Sequence, residues 1–392
     1  MGTWLRSPGV AAGIAALLTG LSLAGCTPAS SGPGDGTSPT ATSAAASAPA
    51  GGPVPRGFAA TSVTFVSADE AFVLGTAPCA YSPCTSIVRT LNRGKTWARL
   101  PAPAVPVNFA GPFRTTPTAV WGIRFAGPSL GFVYGSGLWE TTDGGQRWEG
   151  IASPSGPILD LEITDGQLLA RIDQRCTIDT GCVNSLYRRA LDGGSWHLVT
   201  HMQDYGSAIA TRARVAAMTD GASVVVTGDG GLTFAVRGTP CVLPAWTAWS
   251  VTVTGPASLA LLCEGKVTPG DRLAQKRVYV SDDLGVHWAK AGSPPLSGGP
   301  WEISAGTTAR LVVGAADGAA TWFYYSADGG ARWSVAYKVS DGGAAFSGLD
   351  FTTPADGIAV LGPAGTDGAP NGTVGRLLLT GDGGASWQTV TW

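Results

Sequence analysis

Charge is scarce in this chain. Only 13% of its 392 residues are Asp, Glu, Lys or Arg, about half the share of roughly 25% in an average soluble protein. The charges nearly cancel, leaving −2, so there is no basic field to draw in nucleic acid. Histidine is scarcer still, with three in all. His197 and His201 stand at helical spacing inside β-prone sequence, a poor basis for a metal site; no metal and no cofactor is expected. No long stretch carries helical periodicity. The one apolar run near the N-terminus is too short and too rich in small residues to span a bilayer. Glycine, by contrast, is abundant at 57. Short β-prone runs separated by glycine turns read as an all-β chain.

One stretch recurs. "YSADGGARW" at 325–333 has loose copies at 90–97, 141–148, 192–196, 227–234, 281–288 and 380–387. Each copy keeps an acid or amide, at Asn92, Asp143, Asp192, Asp229, Asp283, Asp328 and Asp382. Each also keeps an aromatic residue, at Trp97, Trp148, Trp196, Phe234, Trp288, Trp333 and Trp387. The acid positions step by 51, 49, 37, 54, 45 and 54 residues, a period that marks stacked supersecondary units, propeller blades above all. Asp-Gly between two β-prone runs is a hairpin signal, because glycine accepts positive φ. The Ser/Thr hydroxyl and the carboxylate can satisfy the turn's own N–H groups. The aromatic then opens the next strand.

Sharper chemistry fails on spacing. A calcium loop needs several oxygen ligands and a distal Glu, and most copies offer one carboxylate. "GKT" at 94–96 lacks the upstream glycine of a phosphate loop, since position 89 is Arg. "GPSLG" at 127–131 has the spacing of a nucleophile elbow but lies between two strands rather than before a helix. The repeat is turn punctuation. Its S/T-x-D-x-G-x-T-W pattern resembles the Asp-box (BNR) repeat of sialidases, sortilin-type receptors, some endoglucanases and the photosystem II assembly factor family. That resemblance implies a β-propeller over residues 57–392, of seven four-stranded antiparallel blades with the box at each C–D hairpin.

Within a blade the runs follow one order, here called A to D: "SVTFVS", "AFVLGT", "SIVRT" and, after the box, "TWARL" in blade one. Up-and-down connection puts the A–B turns and boxes on one face, and the B–C and D–A loops on the other. Long loops are expected on the second face, at 75–86, 171–185, 264–277 and 362–376 and at 101–118, and long loops usually carry function. Aromatic and arginine residues suited to binding lie on or beside them: Tyr81, Phe113, Arg114, Arg175, Trp246, Arg272 and Trp301. Packing between blades is the competing reading for the tryptophans. Ring closure is expected through side-chain packing of blade seven on blade one, unless residues 55–61 supply an exchanged strand.

Seven cysteines are present. "LAGC" at 23–26 follows a signal-peptide-like segment over 1–25 and resembles the bacterial lipobox, in which the cysteine, here Cys26, is lipidated. The other six fall into neighbouring pairs, Cys79/Cys84, Cys176/Cys182 and Cys241/Cys263, expected as disulfides in an exported, oxidising setting. Residues 27–56 are low-complexity Ser, Ala, Pro, Gly and Thr and read, with Cys26, as a flexible tether.

Strand A lines a propeller's channel. Aligning the blades puts Thr64, Arg124, Glu162 and Asp350 at equivalent positions, with Glu302 nearby. They read either as an ion-paired channel or as a polar ligand site. The function expected is a non-catalytic binding or assembly module for a protein or glycan partner, anchored by lipid on the outer face of the cell membrane and monomeric. The alternative is a sialidase-like exo-glycosidase. Glu162, Glu302 and Asp350 offer the carboxyl groups such a reaction needs. Against it, the early motif of that family is matched only by Phe113-Arg114-Thr115-Thr116 before blade two, and no Tyr/Glu pair is assignable.

Overall fold

The computed structural model describes residues 51–79, 84–107, 118–177, 181–203, 208–242, 244–265, 274–317, 319–340, 345–362 and 375–392, with side chains outside the description at 173–177, 181–182, 203 and 345–347. Among the described residues, twenty-eight strands form seven four-stranded antiparallel sheets. No helix occurs among the described residues. Strand order within each sheet follows the chain, so every blade is built from contiguous sequence. The chain is a seven-bladed β-propeller.

Blade one runs from Ala59–Phe65 (A) through Ala71–Ala77 (B) and Cys84–Thr90 (C) to Ala98–Leu100 (D). The remaining A strands are Val120–Phe125, Ile158–Thr164, Ala210–Arg212, Trp246–Val253, Gly299–Thr307 and Ala345–Phe351. The B strands read as continuous apolar runs. Ala71–Ala77, Gly131–Gly135, Val215–Thr219 and Gly357–Gly362 are buried throughout, because a neighbouring blade covers each of their faces. Outer D strands such as Ser334–Val339 show the opposite, with mostly exposed or half-buried residues.

Among the described residues, seven apolar clusters hold the ring, one at each blade-to-blade interface. Phe72, Leu74, Ile123 and Val133 join blades one and two. Phe132, Leu161 and Leu168 join two and three, and the series continues round to Phe323, Leu349 and Leu378 between six and seven. Ring closure is by the same means. Phe58, Ala60, Val73 and Val88 of blade one pack against Ile358, Val360 and Leu377 of blade seven. Residues 51–58 do not add an exchanged strand to blade seven; Gly52 bridges instead to Arg99, on the outer strand of blade one. The two blades approach so closely that a Cβ on Gly375 would strike the Ala60 carbonyl.

The repeated turns are tied by their own side chains. In blade six, Gly330 N–H donates to Ser326 Oγ at 2.8 Å, Ser326 Oγ–H to Asp328 Oδ1 at 2.9 Å, and Arg332 N–H to the same Oδ1 at 2.9 Å. The same pattern is made around Asp143, Asp229, Asp283 and Asp382, and around the amide of Asn92. The bonds to backbone hold the Asp283 carboxyl down at about 2. Copy three differs. Ala190 stands where the other copies have Ser or Thr two residues before the acid, and Leu191-Asp192 form a two-residue turn between the paired Ala190 and Gly193. The tryptophan ring nitrogens are also used. Trp333 Nε1 and Trp387 Nε1 donate within their own turns, while Trp148, Trp196 and Trp288 reach the preceding blade.

One expected loop is not a loop. Residues 171–185 lie largely in a long hairpin of Gln167–Thr177 and Gly181–Ala190. The pairing continues from Gln167 opposite Ala190 to Thr177 opposite Gly181, and its register sets Cys176 opposite Cys182. Two disulfides are present among the described residues, Cys79–Cys84 and Cys241–Cys263, with Cα atoms 5.8 and 5.7 Å apart.

Candidate functional site

Six of the seven A strands carry a β-bulge at one register, where residues 61, 121, 159, 249, 301 and 347 are the extra ones. A bulge re-aims the side chains that follow it. The residues directly after it, among them Ser62, Asp160, Ser250 and Glu302, form one layer of the channel. Two residues further along, the register sets Thr64, Arg124, Glu162 and Asp350 opposite Phe72, Phe132, Leu169 and Ile358 of their B strands, an equivalent position in each blade. The sequence alignment and the register agree on this second layer. Asp160 was not singled out from the sequence. The signal was available: a strand's side chains alternate with period two, so Asp160 shares the face of Glu162.

Arg124 ties three blades together. Its Nε donates to Glu162 Oε1 at 2.5 Å, its Nη1 to Ser62 Oγ at 3.4 Å, and its Nη2 lies 3.7 Å from Asp160 Oδ1. Its guanidinium also sits 5.9 Å from the Tyr134 ring centroid. Desolvation works against the Arg124 charge, but Glu162, Tyr134 and Asp160 outweigh it and hold the group protonated. Asp160 accepts further bonds from Ile209 N–H at 2.7 Å and Leu161 N–H at 3.0 Å. Thr211 donates to Glu162 at 3.2 Å.

Arg212 closes the other side of the ring, at the face of the boxes. Its guanidinium donates to Thr254 O, Ala305 O, Gly306 O and Phe351 O at 2.8–3.2 Å. These carbonyls belong to blades five, six and seven, so one side chain caps their inner strands together.

Among the described residues, neither Glu302 nor Asp350 forms an ion pair with an arginine. Burial pushes the Glu302 carboxyl up to about 8; Asp350 and Asp160 push the same way, and only a Leu349 N–H bond and Arg124 oppose them. Burial also raises Asp350, although its surface is open to the channel solvent and Phe351 N–H donates to it at 2.7 Å. Four acids thus face two arginines that are already engaged, and the channel has a deficit of positive charge.

The loop face bears apolar side chains on rigid supports. Trp301 is 45% exposed, Leu296 49% and Val242 68%. Trp249 Nε1 donates to Trp301 O at 2.9 Å. Buried Lys276 grips the loop that carries Leu296, donating to Ala274 O, Leu296 O, Ser297 O and Gly298 O at 2.6–3.4 Å, and Tyr324 O–H donates to Ser297 O at 2.9 Å. Burial lowers Lys276 to about 8 against the opposing pull of Glu264. Val242 follows Cys241, fixed by its disulfide to Cys263. Trp246 is used in packing: it lies against the cluster between blades four and five, with the Arg277 guanidinium 3.8 Å from its ring centroid. Tyr81, Phe113, Arg114 and Arg272 lie outside the described residues, as do Cys26 and the Arg175 side chain.

Comparison with known proteins bears on the fold. No family model matches the chain, and no curated protein matches it. Solved structures do. The structure of YCF48 bound to D1 peptide aligns at TM-score 0.52 and 17% identity, over 84% of this chain and 95% of that one. Oligogalacturonate lyase from Vibrio parahaemolyticus aligns at 0.52 and 10%, over 84% and 92%. Oligogalacturonate lyase in complex with manganese aligns at 0.51 and 10%, over 81% and 88%. The shared property is the propeller. At these identities a binder and an enzyme align equally well, so the chemistry has to come from this chain's own residues.

Proposed function

We propose that this chain is an exported, lipid-anchored propeller that binds a protein partner on its B–C/D–A face and catalyses no reaction there. The observation that carries this reading is the set of exposed apolar residues, Val242, Leu296 and Trp301, held on one face by a disulfide, a lysine grip and a strand bulge. Rigid presentation lowers the entropy lost on binding. Two disulfides fit an oxidising compartment outside the cytoplasm. Among the described residues no helix is long and apolar enough to cross a membrane. Lipidation of Cys26, with residues 27–56 as tether, would supply the anchor; its acyl chains would hold stably where one alone would not. A partner captured as a peptide fits the likeness to YCF48 bound to D1 peptide.

Photo-crosslinkers at Leu296 and Val242 test the face. Both should capture a partner in the envelope, whereas crosslinkers at Leu232 and Val286, exposed beside the boxes, should not. The reverse pattern would invert the assignment. The anchor has its own test: Cys26→Ala should release the chain from the membrane and remove the mass of the acyl chains.

One observation favours a glycosidase instead. Glu302 keeps its proton near neutrality, as a general acid must. A sialidase-like site also needs arginines for the substrate carboxylate, and Arg124 and Arg212 already spend their donors on Glu162, Asp160, Ser62 and backbone carbonyls. Turnover of aryl glycosides, lost in Glu302→Gln, would establish the enzyme reading in place of the binding one.

A further inference from the structure

The channel and the apolar face meet at one place. Glu302 lies in the channel layer nearer the B–C/D–A face, because the inner strand Gly299–Thr307 enters from that side and Glu302 stands near its start. The residue before it is Trp301, exposed at the strand bulge. Leu296 lies five residues earlier, on the loop that Lys276 grips. The residue next to this uncompensated carboxylate is therefore an exposed indole, and an exposed leucine precedes the carboxylate by six residues on a loop held by Lys276.

The groups that face Glu302 leave its charge open. Asp350 from blade seven and Asp160 from blade three are acids; Arg124 from blade two is bonded to Glu162 and Asp160. On the far side Arg212 caps the channel through four carbonyls. A ligand's positive group can thus reach Glu302 from the loop face, and arriving there it would offset the mutual repulsion of the three acids.

We propose that this mouth receives an extended peptide segment bearing an arginine or lysine beside an apolar residue, the cation seated against Glu302 and the apolar side chain on Trp301 and Leu296. This deepens the binding reading above and rests on it. Charge complementarity selects the occupant. An acidic or phosphorylated segment would meet Asp160, Glu302 and Asp350, and a purely apolar one would leave them unpaired. The aromatic face beside the carboxylate also suits a guanidinium or ammonium. Because Glu302 must shed a proton to pair, binding of the cation releases one, so affinity should rise between pH 6 and 9 while the ligand stays charged.

The test screens the full chain against an array of 15-residue random peptides and measures the strongest binders by fluorescence anisotropy. The binders should be enriched in Arg or Lys with a neighbouring apolar residue. Replacing that cation by citrulline or norleucine should weaken binding about tenfold or more, a hot-spot loss. Glu302→Gln and Trp301→Ala should each do the same, with unchanged melting behaviour apart from the pH effect of the Gln variant, and Glu149→Gln on an outer strand should not. Neutral or acidic binders, no binders at all, or full binding by Glu302→Gln would overturn the inference. The broader reading is judged separately. If crosslinkers at Leu296 still capture a protein while the array yields no cationic binders, only the cationic occupant is wrong. If neither captures anything, both fail.

Discussion

Glu302 is the residue whose titration should be visible in the stability of the whole protein. Its folded pKa of about 8 lies above the ordinary 4.5, so across that window the native chain holds a proton that the unfolded chain has shed. Stability then falls as pH rises from about 4.5 to 8 and levels off beyond. Glu302→Gln has no proton to hold, so its advantage over wild type should grow through the same window. Each unit of raised pKa is worth about 1.4 kcal/mol; channel water reduces the full figure, and an advantage of about 1–3 kcal/mol at pH 8 is expected. Urea denaturation at pH 5 and pH 8 measures it, and an equal advantage at both would contradict the assignment. Arg124 should behave in the opposite sense. Arg124→Ala leaves Glu162 and Asp160 without their cation and should cost about 3 kcal/mol at pH 7, a loss that shrinks on acidification as Glu162, already pushed up to about 7 by burial, takes up its proton. At this scale Thr64, Arg124, Glu162 and Asp350 were legible by aligning the blades. Asp160 was not, because one aligned position per blade ignores the alternation that puts residues 160 and 162 on one face. Nor could sequence show that Arg212 spends itself on carbonyls of three other blades, since those contacts are set by curvature of the ring.

Elements were the most legible level, because their signals are local. Asp-Gly turns marked the C–D hairpins, and the apolar B strands marked the centre of each sheet. Where a local signal was incomplete the element changed: without its hydroxyl, the third copy became a two-residue turn at 191–192. The hydroxyl's share is measurable at Ser326, which is buried, donates to Asp328 and accepts from Gly330 N–H. Ser326→Ala would leave that buried N–H unpaired, and a loss of about 1–2 kcal/mol is expected by thermal or chemical denaturation. Ser326→Thr, which restores the hydroxyl found in the Thr141, Thr227 and Thr380 copies, should recover most of it. A Ser326→Ala variant as stable as wild type would mean that the turn is set by its glycines alone. The long hairpin around 171–185 is not legible in the sequence for a physical reason: strand pairing that extends past the blade leaves no periodic break to mark its end.

Closure of the ring is a property of the whole molecule, and it is the least local contact in it. Phe58 is 1% exposed and packs on Val73 and Val88 of its own blade and on Ile358, Val360 and Leu377 from the far end of the chain. The Trp392 ring lies 4.8 Å from the Phe58 ring and 5.2 Å from the Trp97 ring. Phe132 is equally buried, at the interface of blades two and three. Replacing either phenylalanine by alanine should cost about 3–5 kcal/mol. The consequences for dynamics should nevertheless differ. Blades two and three are joined by a short connection and stay together when their interface loosens. Blades seven and one have no shared strand and no direct connection, so opening them regains the entropy of closing a loop nearly as long as the domain. Phe58→Ala should therefore speed amide hydrogen exchange in the inner strands Ala59–Phe65 and Ala345–Phe351 well before global unfolding. Phe132→Ala should lower protection in all seven blades by a similar factor. Uniform loss of protection in both variants would mean that the closing interface opens only when the whole ring does.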